Sequence, residues 1–193
     1  MTDAYRFDES STEQAIAYAK IYAGENYSPA METVLKVAFS EKRNLPTFRL
    51  KNSDTILLSG YMKKWVGAYL AGYNNRPSVR TGNCSGTHPD PMAKTILRAR
   101  IPGLEDNLAD KIVAGHSLLM TIENNIGELL EEYLSVKLSP LGWYCCWGST
   151  IDAVDFCKAD GSLLQIKTSD NSENSSSSRV RQGTPIGKWF RRF

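Results

Sequence analysis

Gln165 and Lys167 are the residues whose types and spacing first suggest chemistry. They lie in the short apolar run LLQIK, residues 163–167. Side chains alternate between the two faces of a β-strand, so this pair would share one face. Asp152 lies in the preceding run, STIDAVDF, and an Asp-Gly pair typical of a hairpin turn separates the two runs. That turn would bring a carboxylate close to the amide and the ammonium group.

A carboxylate, an amide oxygen and an ammonium group suit phosphodiester hydrolysis. Mg²⁺ takes oxygen ligands, keeps several waters and can be shared with a substrate phosphate. We expect Asp152 and Gln165 to bind the metal, with Asp155 as the alternative to Asp152. Lys167 would orient or activate the attacking water and offset charge on the phosphate oxygens. If Gln165 and Lys167 instead face solvent, their positions need no functional explanation.

The elements that must position these groups change type along the chain. Helices are predicted after the capping box Ser10-x-x-Glu13, over 29–40, after Ser53 or Asp54, and near 92–99. A longer pattern over 105–138 predicts a helix broken near Gly115 and His116 that ends at Pro140 and Gly142. The runs WYCCW, STIDAVDF and LLQIK then predict three strands in a meander. The predicted fold class is α/β, in the α+β sense, with a helical N-terminal half.

Composition limits the possible classes of protein. The chain has 193 residues, of which 41% are hydrophobic, enough for a substantial core. No apolar run approaches the ~18 residues of a membrane span, and the first residues lack the features of a secretory signal. Four cysteines without a C-x-x-C motif indicate reduced thiols. We therefore expect a soluble, cytoplasmic protein that does not bind membranes.

Charge is unevenly distributed around a net value of +2. Residues 121–160 carry −5 from seven acidic and two basic residues. Residues 36–64 carry +5 from seven basic and two acidic residues, and residues 167–193 carry +4 from six basic and two acidic residues. Two basic regions around an acidic centre are compatible with DNA binding. Scattered solvated charge is the alternative interpretation.

One pattern in this sequence resembles the PD-(D/E)XK nuclease motif. It consists of Asp152, a strand, a glycine turn and the residues QIK, with Gln165 in a position that is usually acidic. The segment GELLEEY, residues 127–133, is similar to the first core helix of that superfamily, whose glutamate often joins the metal site. The resemblance implies this role for Glu131, and a solvated helix face is the alternative. The superfamily core also implies a helix and a further strand after the third strand, for which residues 186–193 remain. We therefore expect a core that is naturally abbreviated or cut short.

More specifically, QIKTSDNSENSSSSRVRQGTPIGKWF and, upstream, RTGNCSGTHPDP resemble the SinI family of type II restriction endonucleases. The resemblance implies a restriction-endonuclease-like core and a Mg²⁺-dependent enzyme that cuts both strands of a short, GGWCC-like palindromic DNA site. It also implies a homodimer and a cognate DNA methyltransferase in the same cell.

The polar tract after the third predicted strand has two interpretations. Its composition is typical of a flexible linker. Its side chains could also contact phosphates and base edges, with an arginine bonded to guanine in bidentate fashion. Under the second interpretation the DNA-binding residues are Asn174, Ser176, Ser178, Arg179 and Arg181.

The chain is expected to consist of two regions, and two alternative functions fit its sequence. We expect a helical N-terminal region over 1–103 and a nuclease-like core with a basic C-terminal tail over 104–193. One alternative to the restriction enzyme is a non-catalytic DNA-binding protein derived from a nuclease. The other is a junction-resolving or repair nuclease. Metal-dependent nicking would exclude the first, and site-specific cutting of linear duplex would exclude the second.

Overall fold

The computed structural model describes residues 7–48, 57–80, 90–168 and 185–191. Within these ranges, five α-helices precede a four-stranded sheet. The helices are α1 (Thr12–Ala23), α2 (Pro29–Ser40), α3 (Leu58–Asn74), α4 (Met92–Arg100) and α5 (Asp106–Leu138). The strands are β1 (Trp143–Cys145), β2 (Phe156–Lys158), β3 (Leu163–Thr168) and β4 (Ile186–Arg191). The α/β class with a helical N-terminal half is confirmed.

The chain divides into two compact units. Unit 1 comprises Met1–Arg76 and Glu131–Phe193, and unit 2 comprises Pro77–Leu130. Unit 1 therefore includes α1, α2, α3 and the sheet, while α4 and most of α5 belong to unit 2. The boundary between residues 103 and 104 inferred from the sequence stays a prediction.

Local signals account for the start of α2 but not for that of α1. Ser28 caps α2 by accepting the backbone N–H of Met31 at 3.2 Å, and a proline at the first helical position adds to this start signal. The capping box predicted at Ser10 is wrong. A short 3₁₀ turn precedes α1, and Asp8 accepts the backbone N–H of Ser10 at 2.9 Å.

The long helix α5 differs from its prediction in one respect. It runs through 33 residues without the predicted break at Gly115 and His116. One glycine inside a helix costs only about 1 kcal/mol relative to alanine, which the remaining turns of a long helix readily offset. Among the described residues, no helix combines the length and the apolar character needed to cross a membrane.

The core of unit 1 joins the helices to the sheet and to the loop after β1. Trp65 of α3 is fully buried, and its indole Nε1–H donates to the carbonyl oxygen of Thr150 at 2.9 Å. Ile151 and Val154 of the same loop are also buried in this core. The loop between β1 and β2 is thus fixed to a helix that lies far away in sequence.

The sheet has the order β1-β2-β3-β4. Its first three strands are antiparallel neighbours, which confirms the predicted meander, and β4 pairs with β3 in parallel. The run STIDAVDF is mostly loop, because Ser149 and Ala153 have φ values of 54° and 56°, which interrupt a strand. The segment between β3 and β4, residues 169–184, lies outside the described residues, so the further helix implied by the superfamily core stays a prediction.

Candidate active site

The carboxylate of Asp155 is bonded directly to β3. β2 begins at Phe156, and Asp155 donates its backbone N–H to the carbonyl of Leu164 at 3.0 Å. Its side-chain Oδ2 accepts the backbone N–H of Ile166 at 2.7 Å. The Asp155 side chain thus accepts a backbone N–H of β3 close to Leu164, where the pairing of β3 with β2 ends. It brings a carboxylate to the part of β3 that carries Gln165 and Lys167.

Gln165 and Lys167 lie on β3 as predicted, but they do not simply face solvent. Gln165 is one of three buried polar residues among the described residues, with 5% exposure, and Lys167 is half-buried. Buried amides normally make hydrogen bonds, so a glutamine at this depth is a specific feature of the sheet. The interpretation of this pair as an unremarkable solvent face is therefore disfavoured for Gln165.

Asp152 lies in the loop before β2. Its backbone N–H donates to the carbonyl of Asn44 at 2.9 Å, in the turn that follows α2. Its side chain is exposed to solvent, although partial burial by the surrounding protein raises the pKa of its carboxyl group. Asp155 is thus hydrogen-bonded to β3, and Asp152 to the turn that follows α2.

Glu131 approaches the same part of the sheet from the last turns of α5. Burial is the main cause that raises the pKa of the Cys145 thiol, and the negative charges of Glu131 and Asp155 raise it further. Both carboxylates are therefore close enough to act on one thiol at the end of β1. Its neighbour Glu132 differs, since it forms an ion pair with Arg76 at 3.4 Å.

β4 contributes a lysine that the sequence analysis did not single out. Lys188 is the partner of Gln165 in the parallel pairing of β3 and β4, and it is exposed. Only its place in the basic tail hinted at a role. The register adds a second cation near Gln165, which makes this region suited to an anionic ligand.

The predicted metal is a hard divalent cation, for which oxygen atoms are the preferred ligands. In the described part of the chain, no three His, Cys, Asp or Glu side chains form a group that could hold a metal ion. Two carboxylates, from Asp155 and Glu131, and the amide of Gln165 instead offer a small set of oxygen donors. Mg²⁺ requires few protein ligands because it keeps several waters.

The predicted DNA-contacting residues lie outside the described residues. Asn174, Ser176, Ser178, Arg179 and Arg181 all fall within residues 169–184. Their role therefore stays a prediction.

An open pocket in unit 1 lies away from these groups. It lies between the end of α2 and the β2–β3 turn, and its lining includes Lys36, Arg43, Asp160, Leu163 and Pro185. Both cations already have acidic partners, Glu32 for Lys36 and Glu41 for Arg43. The chemistry-bearing side chains of β3 do not line this pocket.

Comparison with known proteins shows the family to which this chain belongs. A family model described as SinI restriction endonuclease matches residues 50–193, well over half of the chain and the whole sheet. The chain therefore belongs to the SinI restriction endonuclease family.

Two curated relatives share part of this sequence. The type II restriction enzyme SinI of Salmonella infantis is 46% identical over 112 residues, which cover 55% of this chain and 48% of the relative. The type II restriction enzyme Eco47I of Escherichia coli is 44% identical over 112 residues, with the same two shares. The chain thus spans about half the length of the curated relatives it matches.

Proposed function

We propose that this chain forms the catalytic core of a type II restriction endonuclease that makes Mg²⁺-dependent double-strand cuts at a short palindromic DNA site, GGWCC-like in sequence. The observation that supports this most is the bond from Ile166 N–H to Asp155 Oδ2 at 2.7 Å. It brings a carboxylate to the short segment of β3 that also carries a buried amide and a lysine. Family membership supports the same reaction class.

Asp155 is our choice for the first metal-binding carboxylate, with Gln165 and Glu131 as the other oxygen donors. The hydrogen bonds of Asp155 to β3 support this choice over Asp152, whose backbone bonds to Asn44 instead. Bound Mg²⁺ would supply charge neutralisation at the scissile phosphate and lower the pKa of a coordinated water.

The remaining chemistry falls to the lysines of the sheet. Lys167 shares a face of β3 with Gln165, so we assign its ammonium group to orient the attacking water and stabilise charge on the phosphate oxygens. The register of Lys188 with Gln165 supports a role for this lysine in binding a neighbouring phosphate. In this scheme Asp155 and Glu131 fix the position of the cation, and Gln165 supplies a neutral ligand.

The partners follow from the same proposal. The substrate is double-stranded DNA, bound with help from the basic tail and from Asn174, Ser176, Ser178, Arg179 and Arg181. A palindromic site favours a homodimer, since two-fold symmetry of the protein then matches that of the DNA. A cognate DNA methyltransferase would protect the host sequence.

Digestion of plasmid DNA by the whole chain tests the proposal. With Mg²⁺, discrete linear fragments should appear, and sequencing of their ends should return one short palindrome. With EDTA in place of Mg²⁺, the plasmid should stay intact. DNA binding without nicking under both conditions would indicate a non-catalytic binding protein, and cleavage confined to branched DNA would indicate a junction-resolving nuclease.

A second measurement detects the metal without cleavage. Mg²⁺ that binds only the folded chain stabilises it by about 2.7 kcal/mol at a hundred times its Kd. The rise in Tm on adding Mg²⁺ should disappear in Asp155→Asn, whereas Asp152→Asn should keep it. An equal rise in Tm for wild type and Asp155→Asn would argue against a metal at this carboxylate.

A further inference from the structure

An exposed apolar stripe follows the part of α5 that belongs to unit 2. Its members lie alternately four and three positions apart along the sequence, the spacing of the residues that meet a partner helix in a coiled coil. They are Leu108, Ile112, Gly115, Leu119, Ile122, Ile126 and Leu129. The five leucine and isoleucine residues other than Ile126 are each between 40% and 52% exposed.

The period of this stripe identifies the type of surface that fits it. A straight helix has 3.6 residues per turn, so a strict seven-residue repeat drifts by about 20° per heptad unless the helix supercoils around another helix. A helix that packs on the core of its own domain can show the same spacing, but this stripe is exposed in unit 2. The complementary partner is therefore a second helix with the same repeat.

The short helix α4 does not cover this stripe. Lys94 and Arg98 of α4 bind Asp110 and Asp106 of α5 at 2.8 and 2.7 Å. Each aspartate is two residues from Leu108, about 200° around the helix. Within unit 2, α4 therefore contacts another side of α5 and leaves the stripe exposed.

We propose that the stripe is the interface with a second copy of this chain, whose α5 pairs with it in antiparallel orientation. In this register Leu119 lies opposite Ile122 of the other copy, and Ile112 opposite Leu129. Gly115 then lies opposite Ile126, so a large side chain fills the space that glycine leaves. Parallel pairing in register would place Gly115 against Gly115 and leave a destabilising cavity.

The charges beside the stripe also favour self-association. Positions on either side of a coiled-coil seam are those that meet the partner helix. Between residues 109 and 130, the residues at these positions are Ala109, Lys111, His116, Leu118, Glu123, Asn125 and Leu130, of which Ala109 is already fully buried within the chain. Lys111 and Glu123 are the formally charged members of that set and have opposite signs, so two copies can approach with little like-charge repulsion. Depletion of charge is typical of the centre of an interface.

This proposal identifies the surface used by the homodimer proposed above, but its test requires neither DNA nor metal. Sedimentation equilibrium of the whole chain should give twice the monomer mass of 21.5 kDa. Leu119→Glu/Ile122→Glu should give the monomer mass, with an unchanged far-ultraviolet circular dichroism spectrum. The matched control Asn107→Glu/Ala114→Glu adds the same charge at exposed positions off the stripe and should remain dimeric.

Two results would overturn the proposal. One is a monomeric wild type, which would mean that another segment covers the stripe or that nothing does. The other is a seam variant that stays folded and dimeric. A seam variant that fails to fold is replaced by the following distance measurement.

Spin labels placed beside the stripe, with the residues of the stripe unchanged, test the orientation directly. Labels are placed at Thr121→Cys and, separately, at Asn107→Cys, in a Cys84→Ser background in which the three other cysteines are buried. At 1.5 Å of rise per residue, antiparallel pairing separates the two copies of residue 121 by only about 1.5 Å along the axis, and those of residue 107 by about 40 Å. Equal distances at both positions would mean parallel pairing and would overturn the proposed register. No measurable distance between copies would overturn the interface itself. Neither result bears on DNA cleavage, which the plasmid assay measures separately.

Discussion

Asp155 offers the sharpest test of the proposed site, because two substitutions separate the structural role of its carboxylate from its proposed chemical role. Asp155→Ala removes the acceptor of the Ile166 N–H, which lies 2.7 Å away. An unsatisfied backbone donor costs about 1–3 kcal/mol. Asp155→Asn keeps an oxygen acceptor at the same place, so we expect it to lose less than about 1 kcal/mol.

Cleavage should respond differently from stability. Both substitutions remove the negative charge that we propose as a metal ligand, so both should lower the cleavage rate by about three orders of magnitude, or ~4 kcal/mol of transition-state stabilisation. Urea unfolding gives the stability of each variant, and single-turnover cleavage of a plasmid gives the rate. Asp155→Asn should therefore be nearly as stable as the wild type and almost inactive.

Asp152→Asn is the matched control, because it removes the other aspartate of the same loop. Asp152 has a raised pKa from partial burial but bonds to the α2 end rather than to β3. We expect this variant to keep cleavage within about tenfold, or ~1.4 kcal/mol. Loss of cleavage in Asp152→Asn together with an active Asp155→Asn would refute the assignment and restore Asp152 as the first carboxylate.

Three further predictions concern the lysine, the loop and the polar tract. Lys167→Ala should lower the cleavage rate by several orders of magnitude while DNA binding survives, since the lysine acts mainly on the transition state. A near-normal cleavage rate would exclude a catalytic role for Lys167. Gly148→Ala should cost about 2–5 kcal/mol in urea unfolding, from positive φ and from overpacking, because its Cβ would lie 2.0 Å from a carbonyl oxygen of α3. Gly142→Ala, with positive φ but open space, should cost only about 1–2 kcal/mol, and equal costs would disprove the close approach. If Arg179 or Arg181 contacts guanine, its replacement by alanine should cost ~1–3 kcal/mol of binding free energy and relax specificity at one base position, whereas loss of a phosphate contact should lower the slope of log K against log salt by about one unit. Binding to cognate and random duplexes, measured across a salt series, separates the two. No change in affinity, specificity or slope would mean that the tract is a linker.

The helix α2 could be predicted in full because its signals are local. α2 has a serine cap and a proline at its start, and its bounds are those predicted. The unbroken α5 shows the limit of such signals, since a glycine lowers helix stability without revealing what the other residues supply. The meander was equally visible, because three short β-rich runs are separated by turn residues.

The loop before β2 could not be predicted from its own residues. STIDAVDF alternates like a strand, but Ser149 and Ala153 adopt positive φ, and neither residue type signals that conformation. The conformation depends on partners far away in sequence, such as the Trp65 indole that binds the carbonyl of Thr150. Treating the run as one strand places Asp152 at its start and leaves Asp155 as the second choice.

In the proposed site, the buried position of Gln165 accounts for an amide where the motif that it resembles usually has an acidic residue. Asp155 already places a carboxylate at β3, and Glu131 adds a second negative charge nearby. A third carboxylate at a residue with 5% exposure would raise the pKa of at least one member of the group, since burial and like charges both disfavour ionisation. An amide retains an oxygen donor without that repulsion. The site then depends more strongly on Asp155 for its negative charge, which is why the conservative change to asparagine should be so costly for cleavage.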